Sequence, residues 1–567
     1  EMRFAPERND LEQIWDKMRR KIQDAQGKLP PGAGPSFVND DFGDVFGLFL
    51  ALTGEGYSLT ELSEYAKELR KQLLLVDGVA RIALFGAPQE AIFVEISNTR
   101  ADRLGVSRSQ IYQKLGEQNV ISSAGSFDLG NARIRIAPED PAPDLQALRE
   151  IRIGTGPEGS LLTLGDVADI YEGTREPFRP RIRYGGEKAV GIGISNVAGG
   201  NIVTLGDNVR QKLHDLEADQ PLGMELHDIS YQGDSVRQSI NDFIMNLVAA
   251  VVIVVGVLLL FMGMRSGLII GFILVLIVAG TLILMKMQGI DMHRVSLGAL
   301  IIALGMLVDN AIVVTDAMRL RIGAGEDRLK VAREVVQSTI WPLLGGTAVG
   351  ILAFSAIGFS PTGMGEYAGS LFWVIAYSLF LSWILAITIT PLLCHRFLKV
   401  KTGGQQGEAY QGRFYQAYRR FLSLVMAHRG ISLAGLLGLL LLSLFGIGFV
   451  PPGFMPDSAR PQFVVDYWLP QGSSIERTSA DMREVEKEVL AKEGVTGVTT
   501  FVGSGGLRFM LTYAPEARND AYGQLLVDVE DFRRIPALVA ELQGELEQRH
   551  PQARIKVWKF MLGSPLP

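Results

Sequence analysis

Cysteine is almost absent from this chain. Its 567 residues hold one, Cys394, so no disulfide can staple any part of the fold. A nearly thiol-free chain suits an oxidising compartment such as the periplasm. Charge is scarce as well: Asp, Glu, Lys and Arg make up 20% of the residues, and the mean hydropathy is +0.20. That balance points away from a soluble enzyme and towards a membrane protein with large water-soluble parts. The net charge of −6, with no long basic run against it, excludes a nucleic-acid partner. The opening residues, EMRFAPERND, contain neither a signal peptide nor an apolar segment. The charge pattern described next places this end outside the cytoplasm, so the expectation is an internal piece of a longer protein.

Six stretches are long and apolar enough to cross a bilayer: 243–262, 267–285, 295–318, 340–357, 370–394 and 430–450. Soluble cores seldom place such runs almost back to back. The loops between them alternate in charge. One set carries Arg265, then Arg319, Arg321, Arg328, Lys330 and Arg333, then Arg396, Lys399, Lys401, Arg413, Arg419, Arg420 and Arg429. The other set carries only Lys286 and Arg294 in one loop, and no Lys or Arg between Gly358 and Gly369. The positive-inside rule assigns the first set to the cytoplasm, which leaves 1–242 and 451–567 on the far side. TGGQQGEAYQG, 402–412, reads as a flexible linker, and the basic amphipathic stretch 413–425 as a helix along the membrane surface.

The outer segments read as mixed α and β. From 462 onward the pattern is a strand at 462–469, a helix at 474–492 opened by the capping box SSIE, strands at 495–502, 508–513 and 524–529, a helix at 531–549 and a strand at 553–560. This is a ferredoxin-like order. Further helix–strand units are expected at 65–86 and 100–116, strand character at 163–170 and 188–195, and an amphipathic helix at 201–215. MRFAPERNDLEQIWDKMRRKIQDAQGKLP at the start echoes LLVDVEDFRRIPALVAELQGELEQRHP near the end, at an offset of roughly 520 residues, as an internal duplication would.

The sharpest chemical signal is SLGALIIALGMLVDNAIVVTDAM, 296–318, with Asp309 near its middle. A charge there costs several kcal/mol unless it is shielded, paired or protonated. Gly298, Gly305 and Asp316 fall within about 40° of Asp309 on a helical wheel, so this small-residue face is expected to point into the bundle. A carboxyl held there can load and release a proton as access alternates. Asn310 either hydrogen-bonds this relay or packs passively. Asp316 is either a solvated helix end or a further relay member. Gly345, Gly346 and Gly350 are expected as close-packing contacts.

GMLVDNAIVV, 305–314, resembles the fourth-helix motif of the resistance–nodulation–division (RND) superfamily of transporters. LLLVDGVARIALFGAPQEAIFVEI (73–96), SLLTLGDVADI (160–170) with GGEKAVGIGIS, ITITPLLCHRF (387–397) and FMPDSARPQFVVDYWLPQGSSIERT resemble the family in the same order. The resemblance implies an α+β membrane protein, a polytopic helical bundle with ferredoxin-like periplasmic porter subdomains and a docking subdomain. It divides the chain into the end of a first porter subdomain (1–40), a second porter subdomain (41–87 and 155–236) and a docking subdomain (88–154). Five spanning helices (237–398), a linker with an amphipathic helix (399–428), a sixth spanning helix (429–450) and a third porter subdomain (451–567) follow. The spanning helices would be the second to seventh of the whole protein.

The resemblance further implies a multidrug-type proton/substrate antiporter of the hydrophobe/amphiphile branch, in the bacterial inner membrane and in contact with its lipid. Its implied partners are a periplasmic membrane-fusion adaptor, an outer-membrane channel and two further copies in a homotrimer, with small amphiphilic substrates and no cofactor or bound metal. The proton relay falls on Asp309, Asn310 and Asp316; the substrate pocket falls on Phe46 and Phe85, with Phe501 and Phe509 beside a glycine-rich switch loop, 502–509. Two departures stand out. The family often has two successive aspartates where this chain has Asp309 and Asn310, and the docking region is short, with only SSAGSFDLGNARIRIAPEDP (122–141) for the arm that reaches a neighbour. The lysine that commonly partners the aspartates would lie outside this sequence. The alternatives are an RND exporter of metal ions or lipids, or a non-transport sterol- or lipid-binding receptor of the superfamily. An intramembrane aspartyl protease would need a second intramembrane Asp, which no other apolar run offers.

Overall fold

The computed structural model describes residues 11–30, 33, 36, 38, 45–118, 126–129, 132–135, 145–155, 161–178, 180–197, 199–361, 363–398, 413–449, 458–561 and 563. The chain divides into two compact units: 1–42 with 234–454, and 43–233 with 455–567. The linker at 402–412 lies outside the described residues, as does the short arm at 122–141 apart from one hairpin, Ser126–Leu129 with Ala132–Arg135.

The second unit begins with β1 (Leu48–Gly54), a helix Leu59–Leu73, and β2 (Val79–Phe85). Ser58 and Glu61 cap that helix reciprocally. An excursion follows, in which β3 (Glu90–Ile96) pairs with β4 (Ala168–Thr174) over a small core of Val106, Ile111, Leu164 and Ile170. Then come β5 (Arg181–Tyr184), β6 (Glu187–Lys188), β7 (Val190–Asn196), a helix Ile202–Leu216 capped by Asn201, and β8 (Met224–Tyr231). β8, β1, β7 and β2 form one antiparallel sheet in that order. Residues alternate between its faces: Leu48, Leu50 and Leu52 pack under the two helices, while Phe49 and Ala51 face the other way.

Among the described residues, six helices are long and apolar enough to cross a membrane: Gln232–Met262, Met264–Met287, Arg294–Gly323, Arg328–Ala353, Tyr367–Phe397 and Arg429–Ile447. Each expected span is present. The first and fourth begin more than ten residues before their apolar runs, because polar turns continue the same helix. The third helix packs most extensively against the fifth, and also against the second and fourth. Their core is Ile270, Ile273, Leu300, Leu304, Leu307, Val314 and their neighbours. Close backbone approach falls at Gly267, Gly280 and Gly358, where an added Cβ would meet Leu259, Leu381 and Phe372 within 3 Å. Among the described residues no neighbour stands within 4 Å of a Cβ at Gly345 or Gly346, and of the expected trio only Gly350 touches one, Leu379. The amphipathic stretch is a helix, Arg413–Ala427, joined through His428 to the sixth apolar helix, with Ser432 Oγ donating to the Val425 carbonyl across the junction.

After these come β9 (Gln462–Trp468), a helix Ile475–Leu490, β10 (Val495–Val502), β11 (Tyr522–Val529), a helix Ile535–Arg549 and β12 (Arg554–Lys559). The sheet order is β6-β5-β10-β11-β9-β12. Counting only its own four strands, this half has the order second, third, first, fourth, which is the order of the β8-β1-β7-β2 sheet read from the other edge. The β5–β6 hairpin leaves its own half of the unit and extends this sheet, with Thr500 opposite Arg183. Several local expectations differ: the helix–strand unit expected at 100–116 is two helices, Asn98–Leu104 and Arg108–Gln118, and the helix of the unit expected at 65–86 is Leu59–Leu73. The helix from 475 is capped by Ser474 bonding Arg477, so SSIE is a simple serine cap rather than a capping box. The expected strand at 508–513 is a loop: the Tyr513 amide turns back to the Met510 carbonyl, and the Arg508 carbonyl accepts from the Phe46 amide.

Candidate functional site

The residues singled out in the sequence fall into two groups, one in each unit. In the membrane unit the third apolar helix presents its large apolar arc to its neighbours. Ala299, Ala303, Leu307, Ala311, Val314 and Met318 are buried there, and the small residues that admit close packing are alanines. The opposite stripe is uncovered among the described residues. Ile302, Gly305, Asp309, Val313, Asp316 and Leu320 are all exposed and lie within about 40° of Asp309 on the helix. Gly298 and Gly305 have open space around them. The glycine-lined face was expected to point into the bundle; it points away from these neighbours. The wheel groups residues by angle but does not say where other helices stand, and the broader alanine–leucine arc wins the packing.

Asn310, one step round the helix from Asp309, is buried at 8% exposure. Its Nδ2 donates to Thr347 Oγ1 on the fourth apolar helix and to Ser382 Oγ on the fifth, both at 3.3 Å. Ser382 in turn donates to the Leu307 carbonyl at 2.7 Å. Five residues along, buried Thr315 meets the Cys394 thiol at 3.7 Å. The structure therefore brings Asp309 and Asp316 onto one face and puts Asn310 on another. Thr347 and Ser382 are additional site residues. Their signal in the sequence is a hydroxyl inside an apolar run (GGTAVG, FLSWIL), which becomes informative only when paired in space.

In the other unit, Phe85, Phe501 and Phe509 share one aromatic cluster with Phe49, Tyr513 and Phe560. Phe501 stacks on Phe49 at 6.1 Å and meets Phe85 edge-on at 5.6 Å. Phe509 stacks on Tyr513 at 4.8 Å and meets Phe560 edge-on at 5.8 Å. Phe46 is buried beside Gly193, and its amide donates to the Arg508 carbonyl at 2.8 Å. The glycines of 502–509 serve this packing: a Cβ on Gly506 would stand 2.7 Å from the Phe501 ring, and one on Gly505 would stand 2.7 Å from the Glu516 amide.

A family model, the AcrB/AcrD/AcrF family of the RND superfamily, matches residues 2–524. The chain belongs to that family. It is a membrane protein, and RND proteins of this family are transporters with a general efflux function rather than enzymes.

Buried polar groups frame the aromatic cluster of this RND protein. Asp466 is buried and accepts from Tyr522 (2.7 Å), Gln524 (2.9 Å) and the Trp558 indole (2.6 Å). Burial, then the Asp466 charge, hold the Tyr522 phenol far above its ordinary range. Arg460 lies over the Phe509 ring at 5.1 Å and donates to Ser230 at 2.6 Å. Burial lowers its guanidinium to about 10, and burial pushes the nearby Asp528 carboxyl up to about 6. None of these polar partners was singled out in the sequence, because each is an ordinary strand residue, or in the case of Arg460 a residue just before a strand, until the sheets assemble. A cavity of about 290 Å³ in this unit is lined by Gln89, Arg175, Glu176, Pro177, Phe178 and Arg518.

Proposed function

We propose that this RND protein is a proton/substrate antiporter that exports hydrophobic or amphiphilic compounds, with Asp309 as the proton carrier. The observation that carries the proposal is the position of Asp309: an acidic side chain at mid-length of an apolar helix, at the centre of the stripe its described neighbours leave uncovered. A carboxylate facing lipid costs several kcal/mol, so this stripe needs either a protein cover or a proton on the acid. That makes the charge state of Asp309 the quantity that differs between two packing states of the stripe. Each proton moved is driven by about 2.3 kcal/mol per 100 mV of membrane potential, plus the pH gradient. Asp316, two turns on, extends the same stripe towards the cytoplasmic side.

The two four-stranded halves of the soluble unit we read as ferredoxin-like porter subdomains, and the excursion around β3 and β4 as the docking subdomain. The charge alternation of the loops supports a periplasmic position for them and an inner-membrane position for the bundle. The aromatic cluster around Phe501 lies where two sheets meet. Its rings are buried, with Phe501 at 0% and Phe509 at 1% exposure, so an amphiphile reaches them only where the two sheets part; apolar area of this kind suits varied amphiphiles, since burial scales with area and needs little directionality. Phe46, Phe85, Phe501 and Phe509 are the proposed substrate-facing residues. A trimer, a periplasmic adaptor and an outer-membrane channel complete the proposed assembly.

The test is dye efflux from energised cells carrying the intact transporter, with membrane levels matched by immunoblot. Asp309→Asn is nearly isosteric but cannot titrate, and is expected to abolish efflux at normal membrane levels. Asp309→Glu, which keeps the acid one methylene away, is expected to retain part of it. Wild-type efflux in the Asn variant would remove Asp309 from the coupling step.

A further inference from the structure

We propose that Asn310, Thr347 and Ser382 form a positioning clamp that sets the rotation of the Asp309 helix, and that Asn310 itself carries no proton. The inference rests on Asp309 being the carrier, and it assigns its neighbour a different role. Adjacent residues on a helix stand about 100° apart. Whatever fixes the direction of Asn310 therefore fixes the direction of Asp309.

Asn310 is fixed from two sides. Its amide nitrogen has two hydrogens, and both are used, one on Thr347 and one on Ser382. Ser382 has a single hydroxyl proton, and it goes to the Leu307 carbonyl of the same helix that carries Asn310. Ser382 thus grips the Asp309 helix twice, at 307 and 310, and can only accept from position 310. The group at 310 must be a donor. A neutral amide fits this arrangement, whereas an ionised carboxylate would bring an acceptor to an acceptor. All three partners are at most 8% exposed, so no water stands ready to replace a lost partner. Losing one leaves a buried polar atom unsatisfied.

The clamp spans three helices, and the uncovered stripe centred on Asp309 is what it leaves pointing outward. An amide does not titrate, so Asn310 cannot load a proton. Its contribution is to keep the carboxyl of its neighbour from turning towards the apolar arc.

The experiment measures the rate of dye efflux by the intact transporter across a series of external pH values, at matched membrane levels. Ser382→Ala and Thr347→Val each remove one acceptor. Each is expected to shift the pH midpoint of transport by about half a unit or more, the scale of one hydrogen bond's influence on a neighbouring ionisation. Thr347→Ser keeps the hydroxyl and is expected to restore the wild-type midpoint. Asn310→Asp places an acceptor against Ser382, and is expected to shift the midpoint too rather than to improve coupling. A uniform loss of rate with an unchanged midpoint in these variants would mean packing alone, and would overturn the clamp. A wild-type midpoint and rate in Asn310→Asp would overturn it as well, and serves if Ser382→Ala fails to reach the membrane. Asp309→Asn is measured alongside. Normal transport in that variant removes the carrier itself, whereas an inactive Asp309→Asn with unmoved midpoints in the clamp variants removes the clamp alone.

Discussion

Asp528 on β11 shows how a single residue in the soluble unit ties stability to pH. It is buried and accepts from Gln462, and burial pushes its carboxyl from 3.8 up to about 6. The folded protein thus holds the acid's proton more tightly than the unfolded chain does. The stabilisation from this group is fully present below pH 3.8 and is lost as pH rises through about 6. Its size is on the order of 2 kcal/mol. Asp528→Asn keeps an oxygen for Gln462 and removes the titration. Thermal unfolding of the purified transporter between pH 4 and 7 is therefore expected to lose part of its pH slope, with the variant melting higher than wild type near pH 7. An unchanged slope would place the ionisation elsewhere. At this scale the sequence was informative only where the residue type was out of place. Asp309 stands out because a charge interrupts an apolar run, but Asp528 and Asp466 sit in ordinary strand alternation and Arg460 in the loop before a strand. Thr347 and Ser382 are small hydroxyls of the kind common in spanning helices. Their roles come from neighbours up to 75 residues away in the chain, as Leu307 is from Ser382.

At the scale of elements, periodicity and capping were legible and partnership was not. The helices from 202 and 475 begin at an asparagine and a serine that the sequence marks plainly, whereas the helix capped by Ser58 starts six residues before the unit expected at 65–86. RFMLTY at 508–513 has the composition of a strand, yet it folds as a loop that lays Phe509 and Tyr513 into the aromatic cluster. Strand propensity describes a surface that fits a sheet and does not supply the neighbouring strand. The β5–β6 hairpin is the other case. Arg183 pairs with Glu486 at 3.0 Å, both almost fully buried, and donates to Ser479 at 3.1 Å. Glu486 also accepts from the Gly186 amide at 2.9 Å. These bonds tie the hairpin to the helix Ile475–Leu490, across about 300 residues of sequence. Removing one partner of a buried pair strands the other, so Glu486→Ala is expected to cost about 3–5 kcal/mol. Replacing both, with Arg183→Met and Glu486→Leu, is expected to recover most of that. The comparison is made by chemical unfolding of the purified protein. A double variant no more stable than Glu486→Ala would show that the pair, rather than the avoidance of a lone buried charge, holds the hairpin.

At the scale of the whole molecule, the membrane character was the most legible feature, because bilayer thickness sets a length that six runs satisfy. The repeated strand order of the two four-stranded halves was harder to see, since the excursion between β2 and β7 separates one half into distant pieces. On the proposed reading, the charge state of Asp309 in the apolar bundle controls export through the aromatic cluster of the soluble unit. The direct measurement is proton flux in proteoliposomes containing the intact transporter, read by an entrapped pH-sensitive dye on addition of an amphiphilic substrate. Coupling through Asp309 predicts substrate-dependent proton movement in the wild type and none in Asp309→Asn at equal protein content. Equal proton movement in both would contradict it.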